Sequence, residues 1–259
     1  MTENEIVQEI DKYRKKDKYF NVIFITVLFC TILLMPKIWL KVVLSFAVFI
    51  IALFVSLKID KSKHSILIYK MEPQAYYAVY HSSRYSKVNG DEDIEIAYFI
   101  GDYNKVISLV EDKKKKAGEK GKKLNNVPNC LYLCLSYFEI GDFENAHKSI
   151  DYFKSLFEGK RTNEILELSY FSQLDFIENF IDGRYDKCIA IEDVKSKLPD
   201  KAMGNTFKAR MDYYSALAYY YNGDMNTAKQ YFDSVIDFCP HLNYARLAEN
   251  HIDRITNEY

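Results

Sequence analysis

The chain has 259 residues, of which 49% are hydrophobic and 15% aromatic, and its formal net charge at pH 7 is −1. A net charge this close to zero gives no electrostatic reason to expect nucleic acid as a partner. Five cysteines in a chain of this length do not indicate a disulfide framework. Lysine greatly outnumbers arginine, and Ile, Asn, Tyr and Phe are abundant, which is typical of a bacterium with an AT-rich genome.

Two uncharged apolar segments lie near the N-terminus, at residues 19–35 and 42–57. A helix rises about 1.5 Å per residue, so each segment would span roughly 25 Å, at the short end of the range for membrane-spanning helices. Pro36 favours a break between them, and Trp39 lies where interfacial aromatic residues are found. The pattern predicts a two-helix transmembrane hairpin over residues 19–57.

A cleaved signal peptide and a re-entrant hairpin are the alternatives. The charged segment at residues 1–18, the second apolar arm and the lack of a small-residue cleavage site disfavour the signal peptide. The connection carries only Lys37 and Lys41, whereas the two flanks carry Lys12, Arg14, Lys15, Lys16, Lys18, Lys58, Lys61, Lys63 and Lys70. This asymmetry predicts a cell-membrane protein with two spans, whose N-terminal segment, helical linker at residues 58–86 and C-terminal domain are all cytoplasmic.

A phrase with a central glycine recurs four times after the linker, as YFIGDYNKV, YFEIGDFENA, NFIDGRYDKC and YYYNGDMNTA. Each copy places its glycine between two helical stretches, and successive glycines are 40, 42 and 40 residues apart; they are Gly101, Gly141, Gly183 and Gly223. A fixed period of this kind predicts helical hairpins stacked as a solenoid. Such proteins are far more often binding surfaces than enzymes.

The copy at residues 209–242 resembles the tetratricopeptide repeat. It carries, in the family's order, a small residue, a tyrosine, a turn glycine, an alanine, an aromatic residue and a closing proline; these are Ala216, Tyr219, Gly223, Ala228, Phe232 and Pro240. The copies at residues 127–159 and 169–200 share part of this pattern, and the copy at residues 87–116 shares little beyond its turn. The spacing also exceeds the family's usual period of about 34 residues.

The resemblance implies an all-α fold, with a tetratricopeptide-like α-solenoid of about four helical hairpins over residues 87–259. Residues 241–257 have apolar positions close to helical spacing and are expected to form a capping helix. Proteins with this repeat bind peptides in a concave groove lined by the first helix of each hairpin. Here that partner-binding groove would be lined by Tyr132, Leu135, Gln173, Ile177, Arg210, Tyr213, Leu217 and Tyr220. The alternative is that the tyrosines of the last copy pack on the capping helix and on the third copy.

A lysine-rich stretch is the sharpest local charge feature, formed by Lys113, Lys114, Lys115, Lys116, Lys120, Lys122 and Lys123. Gly118 and Gly121 predict that it is a loop. One interpretation is a solvated, mobile loop. The other is a contact with anionic lipid headgroups, to which each lysine near the surface would contribute about 1 kcal/mol.

The sequence contains no cluster of polar residues that predicts catalysis. Cys130 and Cys134 lie one helical turn apart and could ligate a metal, but no further ligands stand nearby, and a buried cysteine acts as a small hydrophobic residue. The five histidines are scattered, and neither a phosphate-binding glycine-rich loop nor a Gly-x-Ser-x-Gly motif is present. We therefore expect no catalytic residue, no metal and no cofactor.

These features predict a membrane-anchored, cytoplasm-facing, tetratricopeptide-like scaffold or adaptor that is not an enzyme and that binds a protein or peptide partner. The alternative is a sensory or assembly subunit of a larger membrane complex, whose transmembrane hairpin contacts the partner. The sequence leaves the identity of the partner and the oligomeric state open.

Overall fold

The computed structural model describes residues 1–34, 37–82, 90–159, 164–198 and 204–258. Over these residues the protein consists of helices joined by short connections, and none of them forms a strand. The prediction of an all-α fold is confirmed for the described part of the chain. The chain divides into two compact units, residues 1–89 and 90–259, which are described separately below.

The first unit contains three helices, α1 (Glu3–Leu34), α2 (Ile38–Ile68) and α3 (Pro73–Ser82). Helices α1 and α2 run antiparallel, because residues early in α1 pair with residues late in α2. The Tyr13 hydroxyl donates to the backbone carbonyl of Ser62 at 2.8 Å. Met35 and Pro36, where the sequence predicts the break between the two apolar arms, lie outside the described residues.

The polar halves of α1 and α2 form a small core with α3. Its buried apolar side chains come from all three helices and are Tyr13, Ile66, Leu67, Ala75, Tyr76 and Val79. An ion pair between Lys63 and Asp17, with an N–O distance of 2.9 Å, borders this core. Helix α2 contains the second predicted apolar arm, residues 42–57, and continues without a break into the predicted helical linker.

The apolar halves of α1 and α2 expose their side chains, and α2 is the described helix that is long and apolar enough to cross a membrane. None of its most apolar stretch is buried, so α2 does not have the environment of a core helix in a soluble protein. The uncharged, described part of α1 runs only from residue 19 to residue 34. That stretch is shorter than the roughly 20 apolar residues that a spanning helix usually needs.

The second unit is a succession of helical hairpins followed by a single helix. The first hairpin pairs α4 (Asp91–Ile100) with α5 (Tyr103–Glu119), and the second pairs α6 (Val127–Glu139) with α7 (Phe143–Ser155). In the third hairpin, α8 (Glu164–Leu166) and α9 (Ser172–Ile181) form the first arm, and α10 (Tyr185–Cys188) and α11 (Ile191–Lys197) form the second. The fourth pairs α12 (Asn205–Tyr221) with α13 (Met225–Phe238). A π-helical turn, Glu167–Phe171, joins α8 to α9, and α14 (Asn243–Glu258) ends the unit.

The turns of the four hairpins share one hydrogen-bonded geometry. The four glycines have φ between +72° and +88°, a left-handed conformation that ends the first helix of each hairpin at little cost. In each turn the residue after the glycine donates its N–H to the carbonyl five residues earlier, at 2.8 to 2.9 Å; the pairs are Asp102 to Ala97, Asp142 to Tyr137, Arg184 to Asn179 and Asp224 to Tyr219. The recurring phrase in the sequence therefore encodes one recurring turn.

The aspartate of the Gly-Asp pair also begins the second helix. The side chains of Asp102, Asp142 and Asp224 each accept a hydrogen bond from the backbone N–H three residues later, at 3.1 to 3.2 Å. Such a cap satisfies one of the free N–H groups of the first turn. The third hairpin has Arg184 instead, without a side-chain cap, and its second helix is divided into α10 and α11.

Helix α14 lies where the capping helix is predicted, but its contacts differ from those of a cap at an open end. It packs on α13 and α12 and also contacts α4, the first helix of the unit. The hydroxyls of Tyr98 and Tyr244 lie 2.7 Å apart, and the Asn243 amide nitrogen donates to the Tyr103 hydroxyl at 2.9 Å. The succession of hairpins thus closes on itself, with its last helix against its first.

Candidate functional site

A buried arginine lies in the interior of the second unit. The side chain of Arg210, on α12, is only 5% exposed. Two of its guanidinium nitrogens, Nε and Nη1, are fully buried and make no hydrogen bond to a described residue. Burying a charge without a partner costs roughly several kcal/mol, even after the protein relaxes. The burial of Arg210 therefore requires a physical explanation.

A tyrosine ring beside the guanidinium group, Tyr98, is in contact with tyrosines from other helices. We define the tyrosine cage as Tyr98 on α4, Tyr132 on α6 and Tyr244 on α14, together with Tyr214, which follows Arg210 by one turn of α12. The guanidinium carbon of Arg210 lies 5.8 Å from the centre of the Tyr98 ring and 5.7 Å from that of Phe207. At these distances the rings attract the cation, by an amount on the order of 1 kcal/mol each.

The hydroxyls of the tyrosine cage are engaged with other groups. Tyr98 and Tyr244 bind each other at 2.7 Å, whereas Tyr214 donates to Glu139 at 3.3 Å and Tyr132 donates to Glu95 at 3.0 Å. The two carboxylates that border the cage therefore accept from phenols. Among the described residues, neither of them nor any other carboxylate forms an ion pair with the guanidinium group.

Burial controls the ionisation of this cluster. It raises the pKa of each cage tyrosine, so all four phenols are neutral at physiological pH. Burial also raises the pKa of Glu139 from 4.5 to about 7, against the opposing effects of the Tyr214 hydrogen bond and the Arg210 charge. Because Glu139 is then partly protonated at neutral pH, it neutralises Arg210 only partly.

Further aromatic rings pack against the tyrosine cage. The Tyr214 ring stacks on Phe176 with centroids 4.6 Å apart and planes 3° from parallel, and Phe138 meets Tyr214 edge-on at 6.0 Å. Tyr98 and Tyr132 are 4.8 Å apart. Since all four hairpins contribute these rings, the position of the guanidinium group depends on the packing of the whole unit.

The structure places the predicted groove residues mostly in the interior. Those that are buried are Leu135, Gln173, Ile177, Arg210, Tyr213 and Leu217, and those that are half-buried are Tyr132 and Tyr220. Tyr213 packs on Tyr244 of α14 at 5.3 Å and on Phe232 at 6.1 Å. Of the predicted set, Arg210 and Tyr132 meet at one cluster, and Tyr213 packs as the alternative interpretation expects.

Sequence reasoning missed most of this cluster, namely Tyr98, Glu139, Phe207, Tyr214 and Tyr244. A signal existed for Tyr214, which stands nine residues before its turn glycine, as Tyr132 does in the second copy. No pattern in the sequence relates α14 to α4, so Tyr244 could not be linked to Tyr98 from spacing.

The prediction of a loop is wrong for the first four residues of the lysine-rich stretch. Lys113 to Lys116 lie in the last turns of α5, because lysine, alanine and glutamate are good helix formers and one glycine does not end a helix. Lys116 pairs with Asp112 at 2.6 Å, Lys113 pairs with Asp91, and Lys114 lies 4.7 Å from the Tyr152 ring centre. Lys120, Lys122 and Lys123 follow the helix and are exposed.

The other candidate ligands behave as packing residues. Cys130 and Cys134 are both buried, and the Cys134 thiol lies 3.2 Å from the Cys130 carbonyl oxygen. Burial raises the pKa of the Cys130 thiol to about 11, so it is protonated at neutral pH. Such a thiol is a weak metal ligand, because the thiolate is the form that binds metals.

A cavity of about 920 Å³ lies elsewhere in the second unit, beside α7 and α9, and is lined by Phe157, Leu168, Phe171, Asp175 and Val194 among others. Two lysines line it: Lys154 is paired with Glu178 at 2.7 Å, and Lys197 is exposed to solvent. The Arg210 cluster is the stronger candidate site, because its charge is buried and no described residue bonds to Nε or Nη1.

Comparison with known proteins found no matching protein-family profile, no matching curated protein and no matching solved structure.

Proposed function

We propose that this protein is a membrane-anchored, cytoplasm-facing helical-repeat scaffold or adaptor of tetratricopeptide type, which binds a protein or peptide partner and is not an enzyme. The observation that carries the proposal is the turn that recurs at Gly101, Gly141, Gly183 and Gly223 with one hydrogen-bonded geometry. Repeated helical hairpins of this kind present binding surfaces. Helix α2 supplies the anchor.

The pairing of α1 with α2 supports a transmembrane hairpin over residues 19–57. Glu9 pairs with Lys70 at 2.8 Å and Asp17 pairs with Lys63 at 2.9 Å, so the two polar flanks leave the helix pair at the same end. Flanks that share one end would lie on one side of a membrane. The lysines in both flanks favour the cytoplasmic side.

The topology is tested with a reporter that is active only outside the cytoplasm. Fused after Tyr259, the reporter is expected to stay silent. Inserted after Lys37, in the connection between α1 and α2, it is expected to be active. Activity after Tyr259 would contradict the cytoplasmic placement of the C-terminal domain. If the reporter after Lys37 were active as well, the chain would not cross back after the first arm and the hairpin would be rejected.

Partner binding is tested by affinity capture with the full chain from detergent-solubilised membranes. Tyr220, which is half-buried on α12, is replaced by alanine to alter the face lined by the first helices. Lys148→Ala is the matched control, because that exposed residue lies on α7 and, among the described residues, its ion pair is with Glu144 of the same helix. A partner retained by the wild type and the control but lost by Tyr220→Ala supports the proposal. Identical capture by all three proteins contradicts this binding face.

A sensory subunit is a second candidate, and one specific observation favours it. The guanidinium group of Arg210 is enclosed, and two of its nitrogens make no hydrogen bond to a described residue. An enclosed, charged site suits a small ligand better than an extended peptide. Partner and ligand could then act together, with the hairpin contacting the rest of a membrane complex.

A further inference from the structure

We propose that the tyrosine cage binds a small oxyanion, carrying a carboxylate or phosphate group, directly against Arg210. The inference rests on the sensory form of the proposed function, in that it takes the interior of the second unit as a ligand site. It assigns to that site a chemical class of ligand. The proposal of a partner-binding scaffold does not depend on this inference.

The unsatisfied guanidinium group is the first argument. Arg210 is only 5% exposed, and no described residue accepts a hydrogen bond from its Nε or Nη1 atoms. Water could accept these hydrogen bonds, but it would leave the charge unneutralised. An oxyanion supplies both acceptor oxygens and the opposite charge, and the planar guanidinium group is the side chain best suited to bind it.

The neighbouring groups of the protein do not take that role. Glu139 and Glu95 each accept from a phenol of the cage, at 3.3 Å and 3.0 Å, instead of pairing with Arg210. The hydroxyls of the cage phenols are engaged with these carboxylates and with each other. The donors that remain for an anion are the Nε and Nη1 hydrogens of Arg210, which bond to no described residue.

The closure of the unit limits the size of the ligand. Tyr98 and Tyr244 bind each other beside Arg210 and join α4 to α14. An extended peptide could not lie across the guanidinium group unless that contact opened. A free, small anion requires less movement, so we assign the site to a free anion and not to a chain segment.

The test uses the full-length protein in detergent, with inorganic phosphate and acetate as separate probes and sodium chloride at matched ionic strength as the reference. A ligand that binds only the folded state raises the melting temperature in a concentration-dependent way. At least one of the two probes is expected to raise it. A response to phosphate alone indicates a tetrahedral ligand, and a response to acetate alone indicates a carboxylate.

Arg210→Met separates specific binding from the general stabilising effect of salts. This variant is expected to lose the difference between the probe and chloride, while melting no earlier than the wild type in chloride, because it removes an unpaired buried charge. Arg210→Lys keeps the charge but loses the planar guanidinium group, so the affinity of the variant for the probe is expected to fall at least about tenfold. If Arg210→Met does not fold, Arg210→Lys still provides the comparison.

Two results would overturn the proposal. One is a wild-type melting temperature that neither probe changes relative to chloride. The other is an equal response in the wild type and in the Arg210 variant that folds. Capture of a partner by a wild type that does not respond to either anion would reject this inference and leave the scaffold proposal standing.

Discussion

The contact between α14 and the first turn of the repeat unit predicts a large effect for Gly101→Ala. Gly101 has φ +85°, and a Cβ atom there would lie 2.6 Å from Nδ2 of Asn243. The left-handed backbone costs a non-glycine residue about 1–2 kcal/mol. Moving Asn243 would also break its buried hydrogen bond to Tyr103, which costs about 1–3 kcal/mol more. The expected loss of unfolding free energy is therefore roughly 2–5 kcal/mol.

Gly223→Ala is the matched control for this prediction. Gly223 has φ +88° in an equivalent turn, but its added Cβ would meet no atom within 4 Å. It should lose only the backbone contribution, about 1–2 kcal/mol. Urea denaturation of the full chain in detergent, followed by far-ultraviolet circular dichroism, measures both losses.

A double variant shows whether closure is the cause. Asn243→Ala removes the atoms that a Cβ at position 101 would meet, so the added cost of Gly101→Ala should disappear in that background. Equal losses for Gly101→Ala and Gly223→Ala would contradict the contact between α14 and the first turn. So would an unchanged cost of Gly101→Ala when Asn243 is absent.

Four further substitutions test three side chains that are buried or half-buried and one exposed helix cap. Glu139→Gln should flatten the pH dependence of stability, because a carboxyl with a folded pKa of about 7 loses up to about 3 kcal/mol of stability as pH rises from about 4.5 to 7; an unchanged slope would contradict burial of this carboxyl. His251→Phe should remove a pH dependence of the opposite sign. Burial lowers the pKa of His251 to about 4, so the wild type loses stability as pH falls from about 6.5 to 4, and the variant should not. Tyr213→Ala should destabilise the protein by about 3–5 kcal/mol, since its ring is buried against α14. A folded variant with an unchanged melting temperature would favour the prediction that Tyr213 lines the partner-binding groove. Asp224→Ala should cost about 1 kcal/mol in urea denaturation through loss of the helix cap, whereas Asp233→Ala, within the same helix, should cost less.

The local structure of the second unit could be predicted from the sequence because short-range chemistry determines it. Three of the four turns have a Gly-Asp pair, which contains both the residue that ends one helix and the residue that caps the next, so these turns can be predicted from a few residues each. The lysine-rich stretch shows where such reasoning fails. Gly118 alone does not end the helix, because helix-forming residues precede it, and α5 extends to Glu119.

The Arg210 site could be predicted only in part, because long-range packing assembles it. Helical spacing placed Arg210 and Tyr132 on the first helices of their hairpins, and both are in the cluster. Nothing in the spacing shows that the hairpins close, so the meeting of Tyr98 with Tyr244 had no local signal. Among the described residues no carboxylate pairs with Arg210, because Glu139 and Glu95 accept from phenols, and the sequence does not encode these contacts locally either.

The hydrogen bond between Tyr98 and Tyr244 has a consequence for how the second unit folds. It joins residues 146 positions apart, whereas an open array of repeats has contacts only between neighbours and can unravel from either end. A closed array has no free end, so loosening one hairpin also breaks the contact between the terminal helices. The second unit should therefore unfold in a single cooperative transition, and it should fold more slowly than an open array of equal length, because the closing contact must form across almost the whole domain.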